Sequence, residues 1–298
     1  MAPREIVSGA FRRNSSALSF VVIVSFAVII VSTTYNLLAF APSDFLARPE
    51  AQEYENAVEN IVVLDRWTRT LEYWSNNLGI AGAYAVTAPG NLGFNTGLYS
   101  DYSIGISFTY WYHQGGATEL VSFSGSVFVH GLLEITGFYI IMAASMRLAW
   151  NFWKGMGHMM LLERSRGEFF RFSPRIPKWA KRELRRHRMA IKQHLTDFLV
   201  LVLVGAFLVF LAAPIESYVS PKVGAAFYSV PALGTTFLAV VGIWYAAVVA
   251  KGLGALRRDF KSIWGDVKLV SKKRWSPSQI SFFMLAAFLL LTLFRLML

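Results

Sequence analysis

The chain has 298 residues, of which 55% are hydrophobic and only 16% charged, and its mean hydropathy is +0.44. A soluble domain carries about 25% charged residues, so this composition indicates a membrane protein. The absence of cysteine excludes disulfides, thiolate nucleophiles and cysteine-based metal sites.

Five stretches contain no charged residue and are candidate membrane spans: 14–43, 73–100, 198–215, 223–250 and 275–294. A spanning helix needs roughly 20 mostly apolar residues, and some of these stretches can hold a span and a turn. The sequence therefore predicts an all-α, polytopic helical bundle that forms a single membrane domain over residues 1–298, with about seven spans.

The net charge of +11 is unevenly distributed along the chain. Residues 147–192 carry thirteen Lys or Arg and three acids, and residues 251–274 carry eight and two. Residues 41–73 carry three Lys or Arg and seven acids. The positive-inside rule predicts that the first two regions are cytoplasmic, that the third is outside, and that the N-terminus is inside. Because topology explains the charge, we expect no nucleic-acid partner.

Helix 1 is predicted near residues 17–40, and its apolar run exceeds the 7–15 residues of a signal-peptide core. The outer segment, residues 43–73, has a helical spacing of apolar residues at Ala57, Ile61, Leu64 and Leu71. We expect it to lie on the outer surface, with aromatic side chains at the membrane interface: Trp67, Tyr73 and Trp74.

Residues 75–112 predict two short membrane segments joined by a turn at "APGNLGFNTG" (88–97), because Gly, Pro and Asn favour turns. An outer loop is predicted over 112–120, and helix 4 over about 121–147. From Pro177 the sequence predicts a basic helix, which either lies on anionic lipid headgroups or is an ordinary cytoplasmic segment. Helices 5, 6 and 7 are predicted near 196–215, 226–250 and 278–297.

Four charged or titratable residues fall at predicted membrane depth: Asp101, His130, Glu134 and Glu216. Such residues are costly in lipid and usually face the protein interior. His130 and Glu134 are four residues apart and share one helix face. Glu216 lies at the outer end of helix 5, at a depth similar to theirs, so the sequence predicts a buried polar cluster.

Three interpretations of this cluster remain open from the residues alone. It is a structural hydrogen-bonded group, a site for a proton, cation or polar headgroup, or a metal site for hydrolysis with His130, Glu134 and Glu216 as ligands. No HExxH motif accompanies it. The residues indicate no catalytic residue and no cofactor.

Three motifs occur in order: "WSNNLGIA" (74–81), "HGLLE" (130–134) and "APIESYVSP" (213–221). Together they resemble the stage II sporulation protein M family over about residues 74–221, which would leave 222–298 as a two-helix C-terminal extension. The resemblance implies a polytopic helical membrane protein without an established active site, and its sporulation members assist a membrane-anchored cell-wall hydrolysis complex. The family's motif positions in this chain are Asn76, Asn77, His130, Gly131, Glu134, Glu216 and Pro221.

The function predicted from the residues and the resemblance is that of a membrane scaffold or accessory protein in envelope or membrane remodelling, not an enzyme. The alternatives are a transporter or lipid-handling protein, and an intramembrane metal-dependent hydrolase. We expect a prokaryotic cell membrane as its location, with membrane lipids and envelope proteins as partners. Small residues such as Ala212-Ala213 and Gly224-Ala225-Ala226 predict a homo-oligomer.

Overall fold

The structure, a computed structural model, describes residues 3–88, 92–165, 178–247 and 250. Those residues form helices and short connections without any β-strand, which confirms the all-α prediction. The helices are α1 (Pro3–Ala39), α2 (Pro42–Leu46), α3 (Pro49–Val62), α4 (Arg66–Val86), α5 (Leu92–Ser165), α6 (Lys178–Arg186), α7 (Arg188–Tyr218), α8 (Ser220–Ser229) and α9 (Pro231–Ala247).

The long helix α5 is a hairpin of two arms rather than one rod. Its backbone leaves the helical conformation at Gly115 (φ −148°, ψ 18°) and Gly116 (φ 71°, ψ −154°). A side chain at the second position would be strained, whereas glycine adopts such a φ readily. The first arm is residues 92–114, and the second arm is residues 117–165.

Contacts between the arms show that they fold back on each other. The hydroxyl of Tyr139 donates a hydrogen bond of 3.2 Å to Asp101 Oδ1. Nearer the turn, the rings of Phe108 and Phe123 lie 5.8 Å apart. The prediction of a nine-residue loop over 112–120 was therefore wrong, because the two glycines alone reverse the chain and the flanking polar residues stay helical.

The predicted outer segment consists of α2, α3 and the start of α4. Of its four apolar residues at helical spacing, Ala57 and Leu71 are exposed and the other two are half-buried. Phe45 is buried, and Tyr54 packs on the hairpin by accepting a hydrogen bond of 2.9 Å from Trp111 Nε1. Aromatic contacts with the first arm of α5, which the local sequence does not reveal, decide which face is buried.

The core lies where α1, α4 and α7 pack on the α5 hairpin. Buried apolar side chains of α1, α4 and the second arm meet in one cluster, which includes Val21, Tyr84, Ile141 and Met142. The second arm and α7 cross closely, since Gly137 and Gly205 face each other there. Small residues at such a crossing let two membrane helices approach through their backbones.

The prediction of helix 6 as one continuous span over 226–250 was wrong. α8 and α9 meet at a bend of 120°. At the bend, Val230 has φ −134° and ψ 77°, and Pro231 follows it. A proline disfavours helical backbone at the preceding residue, so the chain breaks at this position.

Three helical stretches are long and apolar enough to cross a membrane: Arg4–Ala39, Gly93–Phe152 and Arg188–Tyr218. The bent pair α8–α9 makes four if it is one span. These candidates support a membrane protein, while the seven spans and the inside N-terminus stay predictions. The second basic region, residues 251–274, and helix 7 lie outside the described residues. The basic segment after Pro177 is helical as predicted, as α6 and the start of α7.

Candidate functional site

The candidate site lies between the second arm of α5 and the end of α7. His130 and Glu134 project from one face of the second arm, because they are one helical turn apart. Glu216 lies in the last turn of α7, and Ser220 begins α8 directly after it. The site thus depends on how α7 is held against its neighbours.

A proline in α7 helps to hold that helix against α4. Pro214 has no N–H, so the carbonyl of Phe210, four residues earlier, receives no intrahelical hydrogen bond from it. The indole Nε1 of Trp74 donates to this carbonyl at 2.8 Å. The Trp74 ring also stacks on the Phe210 ring, with centroids 4.7 Å apart and an angle of 3°. Trp74 therefore fixes α4 to α7 close to Glu216.

The structure brings His130, Glu134 and Glu216 together. His130 Nε2 lies 3.6 Å from Glu216 Oε1 and 4.0 Å from Glu134 Oε2. One ligand atom from each residue lies within 4.8 Å of the other two. The side chain of His130 is 10% exposed, and those of Glu134 and Glu216 are each 18% exposed. This group is called the HEE cluster below.

Asp101 is placed apart from the HEE cluster. Its Oδ1 accepts the hydrogen bond from Tyr139, and Ser25 of α1 lies beside it. Asp101 does not belong to the group whose ligand atoms lie within 4.8 Å of one another. Its predicted inclusion in one cluster with the other three residues is therefore not what the structure shows. Through its hydrogen bond with Tyr139 it joins the two arms of α5 instead.

Three neighbours of the HEE cluster were not predicted from the sequence. Ser220 Oγ lies 2.9 Å from His130 Nδ1, and the hydroxyl of Tyr73 interacts with Glu216. Arg69 lies on the same helix, α4, and its charge also acts on Glu216. Ser220 could have been found from the sequence, because it lies inside the "APIESYVSP" motif. Tyr73 and Arg69 lie outside the three motifs, so the sequence did not point to them.

The remaining motif residues have structural positions around this site. Asn77 is buried, and its Oδ1 accepts a hydrogen bond of 3.1 Å from the exposed Asn76. Pro221 occupies the first turn of α8, where a missing N–H costs nothing. A Cβ added to Gly131 would meet side chains of its own helix at 3.4 Å or more. The close approach of another helix's backbone is found at Gly137 instead.

A second polar region lies at the other end of α7, about 28 Å from Glu216 along the helix. Arg13 of α1 binds Asp197 through two hydrogen bonds, of 2.7 Å from Nε and 2.6 Å from Nη2. A cavity of about 120 Å³ adjoins this ion pair, and Arg147, His194 and Asn151 are among the residues that line it.

The profile described as stage II sporulation protein M matches residues 16–221. The chain belongs to this family. The match runs from residue 16, inside α1, to the start of α8, and it includes every residue of the HEE cluster. No curated protein sequence and no solved structure matches the chain. Family membership and the apolar helices together show a membrane protein of the stage II sporulation protein M type.

Proposed function

We propose that this stage II sporulation protein M family member is a non-catalytic membrane scaffold that supports remodelling of the cell envelope. In this proposal the N-terminus is inside and α2 and α3 lie outside. The protein positions envelope proteins at the membrane through this outer pair of helices. The observation that supports the proposal is the packing of α3 against the α5 hairpin.

Helix α3 has two distinct faces. Its inner face carries residues that are buried or half-buried against the rest of the chain: Ala51, Tyr54, Val58 and Ile61. Its other face exposes Glu53 and Glu59. A polar surface held on a packed helix is available to a protein partner at little cost in conformational freedom.

Side-chain contacts hold α3 against the bundle just before its first residue and in its middle. Arg48, just before α3, donates to Asn36 Oδ1 of α1 and to Glu50 Oε1, each at 3.0 Å. The guanidinium also lies 4.5 Å from the centroid of the Phe40 ring. The Tyr54–Trp111 hydrogen bond fixes the middle of α3 to α5. A fixed outer platform of this kind suits a scaffold better than a gate that must move.

Deletion of the gene in its native host, followed by complementation, tests this proposal. We expect deletion to disturb envelope morphology, seen by electron cryotomography, and the wild-type gene to restore it. Reversing the charge of the exposed α3 face with Glu53→Lys and Glu59→Lys should leave the protein folded in the membrane but abolish restoration. Glu72→Lys, an exposed acid on α4, is the matched control and should restore morphology.

Two results would contradict the scaffold proposal. One is an unchanged envelope in the deletion strain. The other is full restoration by the α3 charge-reversal variant. A reproducible ion flux through liposomes that contain the purified protein would instead support the transporter alternative, since a scaffold moves no solute.

A further inference from the structure

We propose that the HEE cluster binds one divalent transition-metal ion, for which Zn²⁺ is the best match, and that this ion joins α5 to α7. The proposal is independent of the scaffold function. It concerns what holds the helices together and assigns no hydrolysis to the site.

The separations within the HEE cluster suit ligands of a shared ion better than hydrogen-bond partners. His130 Nε2 lies 3.6 Å and 4.0 Å from the two carboxylate oxygens, which is beyond the usual 2.7–3.2 Å of a hydrogen bond. Zn²⁺ binds imidazole nitrogen and carboxylate oxygen at about 2.0–2.2 Å, so tetrahedral ligand atoms lie about 3.3–3.5 Å apart. The two distances from His130 Nε2 are within a few tenths of an ångström of that spacing, and one ligand atom from each of the three residues already lies within 4.8 Å of the other two.

The charge of the cluster calls for a cation. Glu134 and Glu216 place two carboxylates in a mostly buried site, and Oε2 of Glu216 is buried without a hydrogen-bond partner. Buried charges are costly unless they are paired or coordinate a metal. The positive charge of Arg69 acts on Glu216, but Nη2 of Arg69 donates to the carbonyls of Val62 and Leu64, at 2.8 and 3.0 Å, and Oε2 of Glu216 stays without a donor. One divalent ion would neutralise both carboxylates.

The surroundings of His130 prepare its Nε2 for a metal. When Nδ1 carries the proton, it donates to Ser220 Oγ at 2.9 Å, and the Nε2 lone pair then faces the two carboxylates. Without a cation, a carboxyl that faces this lone pair would have to take up a proton, because a buried and unpaired negative charge is costly. Metal-bound histidines almost always donate their other ring N–H to a neighbouring acceptor, which fixes the ring orientation. Ser220 would have this role here.

The ligand set narrows the choice of ion. Imidazole favours Zn²⁺, Fe²⁺, Ni²⁺ and Cu²⁺ over Mg²⁺ and Ca²⁺, which prefer oxygen ligands alone. Three protein ligands from two helices leave a fourth position that water, or the Tyr73 hydroxyl beside Glu216, can fill. Because Glu216 comes from α7 and the other two ligands from α5, the ion would connect two segments that are far apart in sequence.

Metal content of the purified full-length chain tests this proposal. The protein carries an affinity tag without histidine and is dialysed against Zn²⁺, Mn²⁺ or Fe²⁺, and its bound metal is measured by mass spectrometry. We expect about one Zn²⁺ per chain. Glu134→Gln and Glu216→Gln should each weaken binding at least tenfold, and Ser220→Ala should weaken it about tenfold. Asp101→Asn, the same chemical change at a buried carboxylate outside the cluster, should bind as the wild type does.

Two measurements on the wild-type protein keep the proposal testable if a variant fails to fold. Replacing Zn²⁺ by Co²⁺ should produce the visible absorption of a four- or five-coordinate site. A chelator should lower the melting temperature by several degrees, and Zn²⁺ should restore it. The proposal is overturned if the wild type binds less than about one tenth of an ion per chain, or if Glu134→Gln and Asp101→Asn bind the ion equally.

Discussion

At the scale of single residues, Gly137 and Gly205 leave no room for a methyl group where α5 crosses α7. A Cβ on Gly137 would lie 2.6 Å from the carbonyl oxygen of Gly205, and one on Gly205 would lie 2.6 Å from that of Gly137. The obstacle in both cases is backbone, which cannot rotate away as a side chain can. A larger residue therefore forces the two helices apart, and with them the ligands of the HEE cluster.

We expect Gly137→Ala to lower the free energy of unfolding by about 1–3 kcal/mol, because overpacking a tight contact costs that much. Gly131→Ala is the matched control on the same helix, since its new Cβ would meet only side chains of its own helix at 3.4–3.8 Å. Alanine also favours helix over glycine by about 1 kcal/mol, so the control should be neutral or slightly stabilising. Denaturant unfolding in mild detergent measures both, and equal stability would contradict the close crossing.

Much of the residue-scale arrangement follows from spacing, and the rest depends on tertiary register. The four-residue spacing of His130 and Glu134 puts them on one face, and the depth of Glu216 in its helix suggests its approach. Nothing in the local sequence distinguishes Asp101 from these three, because each is a polar residue in an apolar run. Only the register of the two arms of α5 places it opposite Tyr139 instead.

At the scale of helices, the contact between α4 and α7 depends on one missing N–H. Pro214 leaves the carbonyl of Phe210 without its usual donor, and Trp74 supplies one. Within a membrane there is little water to hydrogen-bond such a carbonyl. The hydrogen bond from Trp74 should therefore stabilise the protein although the bond lies at the exposed surface of the bundle.

We expect Trp74→Phe to destabilise the protein by about 0.5–2 kcal/mol, since the carbonyl of Phe210 then loses its donor. Pro214→Ala would give α7 back an N–H for that carbonyl. In the Pro214→Ala background, Trp74→Phe should therefore cost clearly less. A double-mutant cycle from thermal unfolding measures the difference. Equal costs in the two backgrounds would show that the hydrogen bond contributes nothing.

A helix break is determined by the local sequence where a breaker residue acts alone, whereas the buried face of a helix is determined by tertiary contacts. Pro231 explains the break between α8 and α9, although a long apolar composition concealed it as a single span. Gly115 and Gly116 turn the chain without help from the polar residues around them. The face that α3 buries, by contrast, is chosen by Tyr54 and Trp111 together, and Trp111 belongs to another helix.

At the scale of the whole molecule, the chain's lack of cysteine makes its orientation measurable. We expect Ser43→Cys, an exposed position of α2, to react with an impermeant thiol reagent in intact cells. Ser173→Cys, in the basic region, should react only after the membrane is permeabilised, because Lys and Arg remain on the inner side. Labelling of Ser173→Cys from outside would contradict the predicted orientation.

The predicted homo-oligomer now has less support from small residues than the sequence suggested. Ala212 and Ala213 are fully buried within the chain, and Gly224 packs against Ser126, so these three residues serve contacts inside one bundle. Ala225 and Ala226, by contrast, are exposed. Exposed apolar side chains of α7, such as Leu203 and Phe207, suit contact with lipid. Self-association remains a prediction, which a detergent-corrected mass of the purified protein can measure.

The ion pair between Arg13 and Asp197 has a consequence for biosynthesis. Its partners are 184 residues apart, so α1 leaves the ribosome long before its carboxylate partner exists. At about 5–20 residues per second, the delay is roughly 10–40 s. During that time the guanidinium of Arg13 must remain in water or among lipid phosphates. The docking of α1 on α7 is therefore a late event, and a nascent chain stalled before residue 197 would present an open flank to membrane chaperones and proteases.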